Sequence, residues 1–69
     1  MSRPPEPVTF NFLDQAENQG ACFAIRAVDD KVAISLSLER NGDAEAVIDR
    51  EQARSLALAI LEFATDGSD

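Results

Sequence analysis

The sequence predicts an α+β fold: a four-stranded antiparallel meander sheet with one C-terminal helix packed on one face, a two-layer ββββα sandwich. Three observations carry this expectation. Val8 to Leu13 alternates apolar and polar residues, and Ala21 to Val28 and Lys31 to Leu38 alternate in phase across Asp29-Asp30. From Asp49 to Phe63 the apolar positions change to helical spacing.

The elements follow in order. Pro4, Pro5 and Pro7 make residues 1–7 an extended arm with polyproline character, outside a single domain over 8–65. In the first strand Val8, Phe10 and Phe12 point one way, and Asp14 to Gly20 reads as a polar loop. A two-residue turn at Asp29-Asp30 sets Ala21 opposite Leu38, Phe23 opposite Leu36, Ile25 opposite Ile34 and Ala27 opposite Val32. Every pair on that face is then apolar, and a slip of one residue would turn the set away from the core. Asn41-Gly42 suits a type I′ turn, placing Leu36 opposite Val47 and Leu38 opposite Glu45. Asp49 caps the helix, Gln52 completes a capping box, and Ile48 staples against Ala53. Gly67, after Thr65-Asp66, is the expected terminator, and residues 66–69 are expected to form a flexible tail.

This pattern gives the sheet one face made of Val8, Phe10, Phe12, Phe23, Ile25, Val32, Ile34, Leu36, Leu38 and Val47, on which the helix should lie. The other face is flat and short-chained, with Cys22, Ala24, Ala33, Ser35, Ser37, Ala44, Ala46 and Ile48 among its residues. The apolar arc of the helix spans roughly 160°, against about 100° for an ordinary core-facing stripe. Leu58 lies outside even that arc, beside Leu61. The excess, together with a chain of 69 residues without disulfide or zinc ligands, points to a homodimer. Its candidate surfaces are the helix edge with Leu58 and Leu61, the small-residue face with Cys22, Ala24 and Ile48, and edge-strand pairing.

Composition narrows the function. With no histidine to serve Ser35, Ser37, Ser55 or Cys22, nucleophilic catalysis lacks its base, so the expectation is a non-enzyme. No calcium-loop ladder, no zinc ligand set and no glycine-rich phosphate cradle appears, so no metal or cofactor is expected. Thirteen Asp and Glu against six Lys and Arg give a net charge of −7, which argues against direct nucleic-acid or anionic-membrane binding. No signal-peptide or membrane-spanning run is present in the sequence, so a cytoplasmic location with reduced Cys22 is expected.

Protein binding remains. Asp29, Asp30, Glu39, Asp43, Glu45, Asp49 and Glu51 fall in the hairpin turns or near the helix start, where several could converge on one surface. Such a surface would meet a basic partner, charge setting the association rate and a few apolar groups the affinity. A DNA-binding domain, with its phosphate-contacting Arg and Lys, is a natural candidate.

In length, acidity and lack of catalytic residues the chain resembles the small inhibitors that bacteriophages make against host proteins. Among these it is similar in size and character to the phage quorum-sensing anti-activators. That resemblance implies a homodimer that blocks DNA binding by a host transcription activator of the LuxR type, with a host pilus-assembly ATPase as a second target. It covers the whole chain but rests on no motif, the capped helix Asp49 to Phe63 being a common pattern, so no functional residue is carried across. An anti-CRISPR protein and a structural or assembly accessory domain are the alternative readings.

Overall fold

The computed structural model describes residues 5–66. It contains β1 (Val8–Asp14), β2 (Gln19–Val28), β3 (Lys31–Leu38), β4 (Gly42–Asp49) and α1 (Arg50–Asp66), the strands forming one antiparallel sheet in the order β1-β2-β3-β4. The expected meander followed by a single C-terminal helix is thus the architecture observed. Of the proline arm, Pro5, Glu6 and Pro7 are exposed and without regular structure. Pro4 and the expected terminator Gly67 lie outside the described residues.

The central hairpin has the register expected from its phase: Ala21 faces Leu38, Phe23 faces Leu36, Ile25 faces Ile34 and Ala27 faces Val32. Only the first turn residue, Asp29, has a positive φ, 54°. Aspartate tolerates that region better than most L residues, which lets Asp-Asp close a two-residue turn without glycine. The β1–β2 loop is shorter than the segment Asp14 to Gly20, because Asp14 pairs with Gln19 and Leu13 with Gly20. Only residues 15–18 remain in the loop, with Asn18 at φ 54°.

The β3–β4 register differs from the expected one by three residues. Leu36 faces Ala44 and Leu38 faces Gly42, not Val47 and Glu45. The turn is Glu39-Arg40-Asn41, and Gly42 opens β4 at φ 89°, a conformation that L side chains rarely adopt. An odd shift exchanges the two faces of a strand. Ala44, Ala46 and Ile48 therefore join the phenylalanine face, opposite Leu36, Ile34 and Val32, while Asp43, Glu45, Val47 and Asp49 stand on the other. The corrected register makes the sheet amphipathic. Apart from Asp14 and Gln19 at one end, its phenylalanine face carries only apolar side chains, and Phe12 and Phe23 stack there with ring centroids 5.7 Å apart. Its reverse face carries Thr9, Asn11, Arg26, Lys31, Ser35 and Ser37 beside the β4 carboxylates.

β4 runs into α1 with no intervening residue. The junction is fixed by the expected capping box: Gln52 N–H donates to Asp49 Oδ1 at 2.8 Å, and Asp49 N–H donates to Gln52 Oε1 at 3.3 Å. Ile48 and Ala53, the expected staple, are both half-buried. A helix that folds back on its own sheet ordinarily needs a connection of about two to six residues. Without one, α1 meets its sheet at β3 and β4 beside the junction, and every residue from Arg54 to Thr65 is exposed. Phe63 is 85% exposed and Phe10 is 55% exposed. The only buried apolar residues of the described chain are Ala21 and Ala33.

Candidate binding surfaces

The residues singled out for a partner divide between the two ends of the sheet. Asp29 and Asp30 lie at the end where β4 passes into the helix, as does Glu51 in the first helical turn. Glu39 and Asp43 lie at the other, one eight-residue strand away, about 27 Å. The expected convergence on one patch is therefore replaced by two clusters. Along the outer strand, however, Asp43, Glu45 and Asp49 share one face, all three exposed, because alternate residues of a strand project to the same side. They form an acidic row on the open edge of the sheet, and Ser35 and Ser37 lie beside it on β3.

These carboxylates differ in how they are engaged. Glu45 Oε2 accepts from the Arg26 guanidinium at 2.6 Å, an ion pair that spans β3 on the reverse face. Both side chains are about half exposed, so the pair adds little stability. Its importance is geometric: between Arg26 and Val47 on that face lies Ala33, only 1% exposed. Long charged side chains thus lie where a second sheet would have to approach, and Cys22 and Ala24, expected at a dimer contact, sit half-buried on this polar side. Ile48, expected beside them, is on the opposite face. Leu58 and Leu61 are exposed on the helix as expected.

Glu39 is structural. Its backbone N–H donates to Gly20 O at 3.0 Å, and its Oε1 accepts from Gly20 N–H at 3.1 Å. Beside it is a cluster that the alternation of apolar and polar residues does not reveal. Gln19 is the most buried polar residue described, 2% exposed. Its Nε2 donates to Asp14 Oδ2 at 3.0 Å and to Asn41 Oδ1, and its Oε1 accepts from Arg40 N–H at 2.8 Å. Arg40 in turn donates through its guanidinium to Glu17 O. One amide thereby ties the β1–β2 loop to the β3–β4 loop. The only trace of this in the sequence is that two polar residues, Asp14 and Gln19, bracket a short loop.

Donation from Gln19 holds the Asp14 carboxyl below the ordinary aspartate value of 3.8. Desolvation, second in size, opposes it, and the backbone N–H groups of Ala16 and Glu17 and the charge of Arg40 act with Gln19. A lowered folded-state pKa gives a contribution that is complete above the unfolded value and is lost as pH falls through the folded one. Urea midpoints measured from pH 5 to pH 2 should therefore fall more steeply for the native chain than for Asp14→Asn, the gap between the two profiles closing below about pH 4. Parallel profiles would mean that Asp14 carries no such linkage.

At the opposite end, where the chain enters β1, Pro5, Val8, Ile25, Val32, Lys31 and Arg50 border a groove of about 400 Å³. Among the described residues no group of three or more His, Cys, Asp or Glu could hold a metal ion, and no helix is long and apolar enough to cross a membrane. Comparison of the chain with protein-family models, curated proteins and solved structures finds no match.

Proposed function

We propose that this protein is a non-catalytic inhibitor that binds a basic protein surface, and that its partner is the phosphate-contacting face of a DNA-binding domain such as that of a host transcription activator. The observation that carries this reading is the row Asp43, Glu45 and Asp49 on the free edge of β4. An edge strand offers unpaired backbone groups to a partner, and three carboxylates on one of its faces, with Val47 between Glu45 and Asp49, select one bearing Arg or Lys. The charge of −7 steers such a partner and repels nucleic acid, so the protein competes with DNA without binding it. The row also discourages edge-to-edge pairing of two identical copies, which would set like charges against one another.

The experiment is competition: the DNA-binding domain of a quorum-sensing activator on labelled operator DNA, titrated with this protein at about 150 mM salt. Displacement is expected, and the double variant Asp43→Lys/Glu45→Lys should weaken it by at least tenfold while the far-ultraviolet spectrum stays unchanged. Raising salt to about 500 mM should weaken native binding as well, by screening. Native displacement that the variant and the salt leave unaltered would remove the acidic row from the interface. No displacement would remove this class of partner.

A further inference from the structure

Each chain leaves two large apolar surfaces without a partner. One is the phenylalanine face of the sheet, where Val8, Phe10, Phe12, Phe23 and Ile25 are all exposed. The other is the helix, where Leu56, Ile60, Leu61 and Phe63 are exposed over the wide arc. Apart from Asp14 at its loop end, no charged residue lies on the sheet face, in a chain where charge is otherwise abundant. The accessible surface of the chain is 5740 Å², whereas a compact monomer of 7.5 kDa exposes about 4,200 Å². The radius of gyration is 13.9 Å, against about 11 Å for a compact chain of this length.

We infer that the helix of a second copy covers the phenylalanine face, and that the two chains exchange helices reciprocally in a two-fold symmetric dimer. The direct β4–α1 junction, pinned by the Asp49–Gln52 capping box, keeps each helix off its own sheet and presents it to a neighbour. Each copy has one helix to give and one sheet face to cover, so a single two-fold operation satisfies both surfaces of both chains. The dimensions agree: 17 helical residues span about 25 Å, close to the length of the eight-residue strands beneath. An unrelated partner covering the sheet would leave the helix unsatisfied. The exchanged dimer restores the α-on-β layering in each half and leaves the acidic β4 rows free.

The test is direct observation of contacts between chains. Chains labelled with ¹³C at Leu and Ile methyls are mixed with unlabelled chains, exchanged through mild denaturant, and studied by isotope-filtered NOE spectroscopy alongside sedimentation equilibrium. The expected result is a dimer mass with intermolecular NOEs from the Leu56 and Ile60 methyls to the rings of Phe10, Phe12 or Phe23. A dimer whose intermolecular NOEs join helix to helix, or the helix to the reverse face, would overturn the exchange. So would helix-to-phenylalanine NOEs confined to single chains, which would mean that each helix covers its own sheet. A monomer mass at about 100 µM with solvated helix methyls would overturn it as well, and would assign both surfaces to a different protein.

Discussion

Replacing Ile60 by aspartate is expected to prevent the proposed exchanged dimer from forming and to take much of the helix with it. In the single chain this residue is 59% exposed. If the helix were solvated in solution, the substitution would change stability by no more than about 0.5 kcal/mol, as at ordinary surface sites. In the exchanged dimer the same position faces a phenylalanine-lined sheet, where an unpaired carboxylate costs about 3 kcal/mol or more, and symmetry imposes the cost twice. Dimerisation should then weaken on the order of 10⁴-fold, at about 1.4 kcal/mol per decade. Helicity should fall with it, because an isolated helix of this length is marginal in water. Glu62→Ala, on the charged side of the helix, is the control and should leave the dimer intact. Sedimentation equilibrium with circular dichroism over a dilution series reads both effects. If Ile60→Asp keeps the native mass and helicity, the apolar arc is a solvated surface and has no part in assembly.

The contrast between two hairpins explains how much of the fold is legible in the sequence. In β2–β3 the pairs on one face are all apolar right up to the turn, so turn length and apolar phase agree on one register. In β3–β4 they compete. Asn41-Gly42 is the favoured pair for a two-residue turn, yet Gly42 uses its positive φ to open the strand after a three-residue loop. The apolar phase held the better information: of the two registers, the observed one puts Ala44, Ala46 and Ile48 on the phenylalanine face and Asp43, Glu45 and Asp49 on the other. Where a turn motif and strand alternation disagree, burial sums over the whole strand whereas the turn acts once. The acidic row, the main element of the proposed binding surface, was hidden by that single choice of turn.

Other features were legible or not according to their range along the chain. The capping box is local, and its two hydrogen bonds were readable from Asp49 and Gln52. The position of the helix relative to the sheet was not, because it depends on the missing loop residues at the junction. A wide apolar arc indicates that a helix needs a partner without indicating which chain supplies the sheet. Gln19 was unreadable for a different reason: its partners Arg40 and Asn41 lie more than twenty residues away and meet it only once all four strands are paired.

Gln19→Ala is expected to destabilise the fold by about 2 to 3 kcal/mol, the range for removing one partner from a buried hydrogen-bond network. The truncation removes both donors and the acceptor of a fully buried amide, and takes from the N–H of Arg40 its acceptor. The loops 15–18 and 39–41 then lose the link between them, so amide exchange should accelerate at Gly20, Glu39 and Arg40 before the centre of the sheet is affected. Gln19→Glu separates this account from simple loss of packing. The side chain keeps its size and its acceptor for Arg40, but an oxygen replaces the donating nitrogen and faces both the Asp14 carboxylate and Asn41 Oδ1. Near neutral pH this variant should be at least as unstable as the alanine one, and its deficit should shrink as pH falls toward 4, because a proton shared between the introduced carboxylate and that of Asp14 restores a donor. Urea unfolding of both variants at pH 7 and pH 4 gives the answer. A glutamate variant as stable as the native chain at pH 7 would mean that the amide donors of Gln19 do not hold the loops together.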